Sequence, residues 1–300
     1  MKLASRDYDP RSDFESVRQF LIATHEVTHS LQNWPPDRFE NSHTEWAKDI
    51  RIWERKNKGT KPEIVGIANP ESPRAYYIQI HPDYRSLERE IIEWIEEHRI
   101  SNKENPNKKE NLYLFSIKGD DRRETLLRDL GYENCGIHAY HRSRPVDLPI
   151  STVSIPKDFI IRNIRGKEDY RQLTEAIKVV FGHDLCTEEF YENVIAKASF
   201  YVQNLDIVAV APNGTFAAFC TIRLDPVSKI ASLEPLGVHP NYRRRGLARA
   251  IIFEALKRTQ RYKPAAFIIS GAANTPEANQ FYDSIGYFEK IEEYYWRKEI

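Results

Sequence analysis

Apolar positions along this chain alternate between helical and strand spacing, and each change of period marks an element. Leu3–Arg6 reads as a short strand. Phe14, Val17, Phe20 and Leu21 recur at helical spacing, and Asn33-Trp34-Pro35-Pro36 ends that helix. Trp46, Ile50 and Trp53 predict a second helix over Asn41–Lys56, and Lys56–Lys61 is a polar loop. Strands are predicted at Ile64–Ala68 and Ala75–Ile80, joined by the turn residues Asn69-Pro70-Glu71-Ser72-Pro73. Leu87, Ile91, Trp94 and Ile95 share a helix face, and Ser101–Glu110 is a polar loop. Leu112–Ile117 is a strand, Arg122–Leu130 a helix and Ile137–Arg142 a strand. Ser143–Lys157 holds Pro145, Pro149 and Pro156 with no period, so it reads as a linker.

The order then restarts. Phe159–Asn163 is a strand, and Glu168–Phe181 and Thr187–Ala198 are helices. Asp206–Ala211 and Thr215–Leu224 form a hairpin across Pro212-Asn213-Gly214. Ile230–Val238 is a strand that runs through a turn into a helix. Ala265–Ser270 is a strand, Pro276–Ile285 a helix and Ile291–Lys298 the last strand. The predicted halves are residues 1–142 and 159–300, with 143–158 between them.

Residue matches point to a duplication. Ile80-His81-Pro82-Asp83-Tyr84-Arg85 echoes Val238-His239-Pro240-Asn241-Tyr242-Arg243, an offset of 158 between His81 and His239. Gly131 and Gly286 in Leu-Gly-Tyr and Ile-Gly-Tyr differ by 155, and Arg6 and Arg162 by 156. A repeat this long means two copies of a domain. The copies diverge after the histidine. His239 to Ile251 spans 12 residues but His81 to Ile91 only 10, and the glycine is missing. The first copy also places Glu88 and Glu90 at its helix start, where they would repel an anion.

Composition changes this picture little. The 300 residues carry 44 basic and 44 acidic side chains, so net charge gives no case for a nucleic-acid or membrane partner. Cys135, Cys186 and Cys220 are odd in number and far apart, which argues against a disulfide framework or a cysteine zinc site and fits a reducing cytoplasm. No apolar run is long enough to span a bilayer, and the first residues lack a signal core.

The stretch with most chemical content is Leu233–Ile252. Strand, Arg243-Arg244-Arg245-Gly246 turn and helix together present backbone N–H groups at a helix N-terminus, a phosphate-binding arrangement. The plain alternative is a solvated basic face. Val238-His239-Pro240 with Arg243-x-x-Gly246-x-Ala248 resembles the acetyl-CoA signature of the GNAT (Gcn5-related) N-acetyltransferases. Asn274 through Tyr287, with Phe281-Tyr282 and Gly286, resembles that family's second signature. The whole resembles a tandem GNAT protein with a degenerate N-terminal copy.

The resemblance implies an α/β (α+β) fold of two GNAT-like domains, each a mixed twisted sheet flanked by helices. It implies that acetyl-CoA is the acyl donor, that no metal takes part, and that a small-molecule or peptide amine is the acceptor. Leu236, Gly237 and Val238 would meet the pantetheine arm. Arg243, Arg244, Arg245, Gly246, Leu247, Ala248 and Arg249 would hold the pyrophosphate; Asn274 would hydrogen-bond the coenzyme's amide arm or a nearby backbone group, or else cap a loop or helix, and Phe281 would also contact the coenzyme. Tyr282 would protonate the departing thiolate, a role for which the first copy has Leu127. Glu234, two residues before Leu236 and so expected on the same strand face, would be general base, ammonium anchor or half of a structural pair. A non-enzymatic acyl-CoA-binding module and an aminoacyl donor are the alternatives within this reading.

One motif competes. His25-Glu26-Val27-Thr28-His29 is H-E-x-x-H, the zinc-metallopeptidase pattern, with Glu40 and Glu45 as possible third ligands. Only 24 residues precede it, no third-ligand motif follows, and the repeat assigns it to the end of the first helical region. It reads as a chance match.

Overall fold

The computed structural model describes residues 2–28, 33–56, 59, 61–103, 105, 107–152 and 154–300. The chain forms two compact units. The first is Met1–His141 with Ser270–Pro276 and Lys290–Ile300; the second is Arg142–Ile269 with Glu277–Glu289. In chain order the elements are β1 (Lys2–Asp7), α1 (Phe14–Thr28), α2 (Pro36–Ser42), β2 (Arg51–Lys56), β3 (Glu63–Ser72), β4 (Ala75–Ile80), α3 (Glu88–Ser101), β5 (Asn111–Ile117), α4 (Asp121–Asp129) and β6 (Glu133–Arg144). There follow β7 (Ile160–Asn163), α5 (Lys167–Phe181), α6 (Glu188–Asn193), β8 (Asp206–Val210), β9 (Phe216–Leu224), β10 (Ile230–Val238), α7 (Leu247–Thr259), β11 (Ala266–Ala273), α8 (Pro276–Ser284) and β12 (Glu289–Glu299).

In the first unit the strands run β1-β2-β3-β4-β5-β12-β6. β12 lies antiparallel to β5, from Glu293↔Ile117 to Glu299↔Asn111. The last strand of the chain thus completes the first unit, whereas the sequence suggested that it would close the second half. The parallel β4–β5 ladder holds only Ala75↔Tyr113 and Tyr76↔Leu114 before the strands part. Two cores form. One gathers Trp53, Ile91, Ile92, Leu127 and Trp296, and the other Val17, Leu21, Trp34, Phe39 and Ile52.

The helix expected over Asn41–Lys56 is not formed; its second part is β2. Ile52 and Trp53 enter the two different cores, so this strand is covered on both faces and shows no apolar–polar alternation. His29 of the H-E-x-x-H motif lies outside the described residues. Among the described residues no metal-binding group of three or more His, Cys, Asp or Glu occurs, and no helix is long and apolar enough to cross a membrane.

The second unit orders its strands β11-β10-β9-β8-β7. Every residue of β9 is buried, and both α5 and α7 pack against it. Leu247, Ile251, Ile252, Ala255 and Leu256 form the buried face of α7, as the spacing predicts.

The two units repeat their polar anchors as well as their elements. Arg6 bonds Asp13, and Arg162 bonds Asp169, each seven residues on. The Asp9 N–H meets Asp13 at 2.8 Å, and the Arg165 N–H meets Asp169 at 2.7 Å. His81 Nδ1 accepts from Asp83 N–H, and His239 Nδ1 from Asn241 N–H, both at 3.2 Å. The Tyr132 N–H donates to Leu127 C=O at 2.9 Å, and the Tyr287 N–H to Tyr282 C=O at 3.0 Å. Leu127 therefore occupies in the first unit the place of Tyr282 in the second.

Asp206 opens β8 fully buried, accepting from Tyr191 Oη at 2.5 Å, Thr221 Oγ1 at 2.9 Å and Tyr201 Oη at 3.0 Å. Burial pushes its carboxyl up to about 6, while the three hydroxyls pull the other way. A raised carboxyl binds its proton more tightly in the folded state. Its contribution to stability is therefore present below the unfolded value near 4 and lost as pH rises through about 6. Asp206→Asn should gain stability relative to wild type between those limits by roughly 3 kcal/mol, measured by denaturant unfolding at stepped pH.

Candidate active site

The site begins where β10 loses a neighbour. Its parallel ladder with β11 runs only from Ile230↔Ala266 to Ser232↔Ile268. Directly afterwards its register with β9 slips, from Leu233↔Ile222 to Leu236↔Cys220, so β10 carries one extra residue. This bulge holds Glu234 and Pro235, joined by a cis peptide. Bulges bend a strand and end pairing on one side. Past it, His239 N–H donates to Ala217 C=O at 3.0 Å, which turns the N–H and C=O groups of Gly237 toward β9 as well. Backbone groups alternate sides along a strand, so those of Leu236 and Val238 face the open edge. Such an edge can receive an extended amide chain as an added strand.

Gly237 has a packing reason. A Cβ there would stand 2.2 Å from Cζ of Phe219, whose ring lies over the glycine.

The turn follows. Arg244 and Gly246 are both left-handed, with φ of 63° and 77°. A Cβ on Gly246 would meet nothing within 4 Å, so the conformation, not crowding, favours glycine there. The Ala250 N–H donates to Gly246 C=O at 3.0 Å. In α-helix geometry the preceding amides, of Leu247, Ala248 and Arg249, have no intrahelical acceptor. They add to the positive end of the helix dipole. Arg243, Arg244 and Arg245 are exposed around them. Arg243 Nε donates to Val238 C=O at 3.3 Å, and the Arg245 guanidinium lies 5.6 Å from the Tyr242 ring. The Arg249 guanidinium binds Ser284 instead, through Oγ at 2.7 Å and C=O at 3.2 Å, and so ties α7 to α8.

Tyr282 lies on α8, half-buried, with the Phe281 ring 5.5 Å away. Among the described residues nothing hydrogen-bonds its hydroxyl. Burial, then the negative charges of Glu234 and Cys220, push the phenol up to about 12, and Arg142 pulls it down. The Glu234 side chain acts on Tyr282 electrostatically but is itself exposed. The expectation that Glu234 shares the strand face of Leu236 therefore fails: the bulge breaks the alternation. Asn274 falls among first-unit residues and donates to Ile137 C=O at 3.4 Å.

Arg142 was not singled out by sequence, since a lone arginine ending a strand carries no signal. Its side chain is wholly buried. It donates to Asp283 at 2.6 Å, to Tyr287 C=O at 2.6 Å and to Asn279, with its guanidinium 5.6 Å from the Tyr282 ring.

Residues 168–287 match the model of the Acetyltransferase (GNAT) family. These residues form a GNAT domain. No curated protein sequence matches the chain. Solved structures extend the fold over nearly its whole length. A GCN5-related N-acetyltransferase from Sphaerobacter thermophilus is 16% identical with a TM-score of 0.69, covering 99% of this chain and 95% of its own. A tandem GNAT protein from the clavulanic acid biosynthesis pathway is 12% identical with a TM-score of 0.68, over 99% and 98%. A Saccharomyces cerevisiae N-myristoyltransferase with bound myristoyl-CoA is 14% identical with a TM-score of 0.62, over 99% and 80%.

Within the second unit Arg142 fixes α8, the helix that carries Tyr282. Arg142→Met would leave the buried Tyr287 carbonyl without its charged donor. It should cost roughly 3 kcal/mol in urea unfolding, with loss of thermal stability before loss of secondary structure.

Proposed function

We propose that the GNAT domain binds acetyl-CoA and transfers the acetyl group to a primary amine. The observation that carries this reading is the edge of Leu236 and Val238 left without a neighbouring strand, followed directly in the chain by the amide-lined turn at Gly246. The edge suits the amide-bearing pantetheine arm, and the turn with its exposed arginines suits the pyrophosphate.

In this reaction the amine nitrogen attacks the thioester carbon, and the carbonyl oxygen gains negative charge. An outward N–H such as that of Val238 can stabilise that charge. As the C–S bond breaks, Tyr282 passes its phenolic proton to the sulfur, and the amine gives up its proton to Glu234 or to water. A phenol near 12 stays protonated at neutral pH, as an acid must. Such a phenol is a weak donor to a thiolate in water, and desolvation of the sulfur by bound substrate would raise the thiolate's basicity. The Arg142 guanidinium beside the ring stabilises the phenolate left behind. The free Tyr282 hydroxyl favours catalysis over a pure binding module.

Tyr282→Phe should lower kcat by about 100-fold while CoA affinity changes less than about threefold. Release of free CoA thiol in the presence of an amine panel, with calorimetry for binding, measures both. Unchanged turnover would remove Tyr282 from the mechanism.

A further inference from the structure

The first unit has the same splayed strands, yet its open edge is occupied. Ile78 and Ile80 stand 158 residues before Leu236 and Val238. The His81 N–H donates to Val65 C=O at 2.9 Å, so the backbone groups of Ile80 and Ile78 face away from β3, as those of Val238 and Leu236 face away from β9. The Asn33 side chain pairs with that edge in both directions. Its Oδ1 accepts from Ile80 N–H at 2.9 Å and its Nδ2 donates to Ile80 C=O at 3.1 Å. The next residue, Trp34, donates its N–H to Gln79 Oε1 at 2.7 Å, and Gln79 stands at the position of Gly237. Arg123 Nη2 donates to Ile78 C=O at 3.3 Å.

The anion position is filled too. Aligning α3 with α7 on their buried Leu87/Leu247, Ile91/Ile251 and Ile92/Ile252, an offset of 160, places Glu88 at Ala248. Glu88 is fully buried. Its carboxylate accepts from Arg123 Nε at 2.8 Å and from Arg85 at 2.9 and 3.1 Å, with Arg122 at 3.7 Å. Asp120 balances this cluster through Arg85, at 2.7 Å. The simple repulsion expected of Glu88 and Glu90 is thus replaced by an internal anion in its own arginine cage. Glu90 turns elsewhere and accepts from Trp53 Nε1 at 2.8 Å.

We propose that the first unit is a self-liganded copy of the acyl-CoA cleft, in which the Asn33 amide stands for the pantetheine amide and the Glu88 carboxylate for the pyrophosphate. The inference rests on the acyl-CoA reading of the second unit. It makes the first unit a permanently closed partner, with one acyl-CoA per chain.

Calorimetric titration of the full chain with CoA, together with amide hydrogen exchange, tests it. Wild type should bind one CoA per chain. Ala248→Glu, which gives the second unit the residue of the first, should weaken binding more than 100-fold and leave no second site. The Ile80 amide should be protected with or without CoA, and the Val238 amide only with CoA. Asn33→Ala should lower Tm and expose the Ile80 amide while CoA affinity stays within threefold. Two sites in wild type, a site surviving in Ala248→Glu, or a fast-exchanging Ile80 amide would each overturn the inference. The wild-type stoichiometry and exchange need no variant to fold. An absence of any CoA binding by wild type overturns the acyl-CoA reading itself and is distinct from all three.

Discussion

A buried or half-buried backbone N–H and C=O must find partners, and in both units one strand is left short of them. β10 parts from β11 after Ser232, and β4 parts from β5 after Tyr76. Each parting leaves two residues whose polar groups face a gap. In the first unit the chain fills that gap with Asn33 and Arg123. In the second, Arg243 Nε reaches the Val238 C=O at 3.3 Å, and the bulge at Glu234 and Pro235 leaves the Val238 N–H and the groups of Leu236 facing the gap. The remaining features of the site follow from where that edge leads.

It leads to a helix start, and the two copies treat that start oppositely. Beside α7 the positive end of the helix meets exposed arginines, and among the described residues no carboxylate pairs with them. At α3 a buried glutamate gathers three arginines. The same difference appears on the facing helix, where Tyr282 of α8 corresponds to Leu127 of α4, held by an equivalent backbone bond. Edge, anion position and acid differ together between the copies, as expected if the three make one site.

Much of this was legible in the chain. Ile230–Val238 is the strand that its period predicts, and the histidine turns repeat down to the capping bond. The elements that misled did so for physical reasons. Trp46, Ile50 and Trp53 have helical spacing, yet β2 is a strand buried on both faces, and such a strand has no alternation to read. Glu234 was placed by alternation, which an extra residue in the ladder cancels.

Sequence by itself determined the duplication, the GNAT signatures and the loss of glycine and tyrosine in the first copy, because these depend on residue type at fixed spacing along one element. Tertiary structure alone decided that β12 completes the first unit, that Arg142 clamps the helix of Tyr282, and that Asn33 and Glu88 close the first cleft. Each of those joins residues distant in the chain through a shared edge or a buried charge. No local period encodes such a partner; it exists only once the strands have splayed and left something to satisfy.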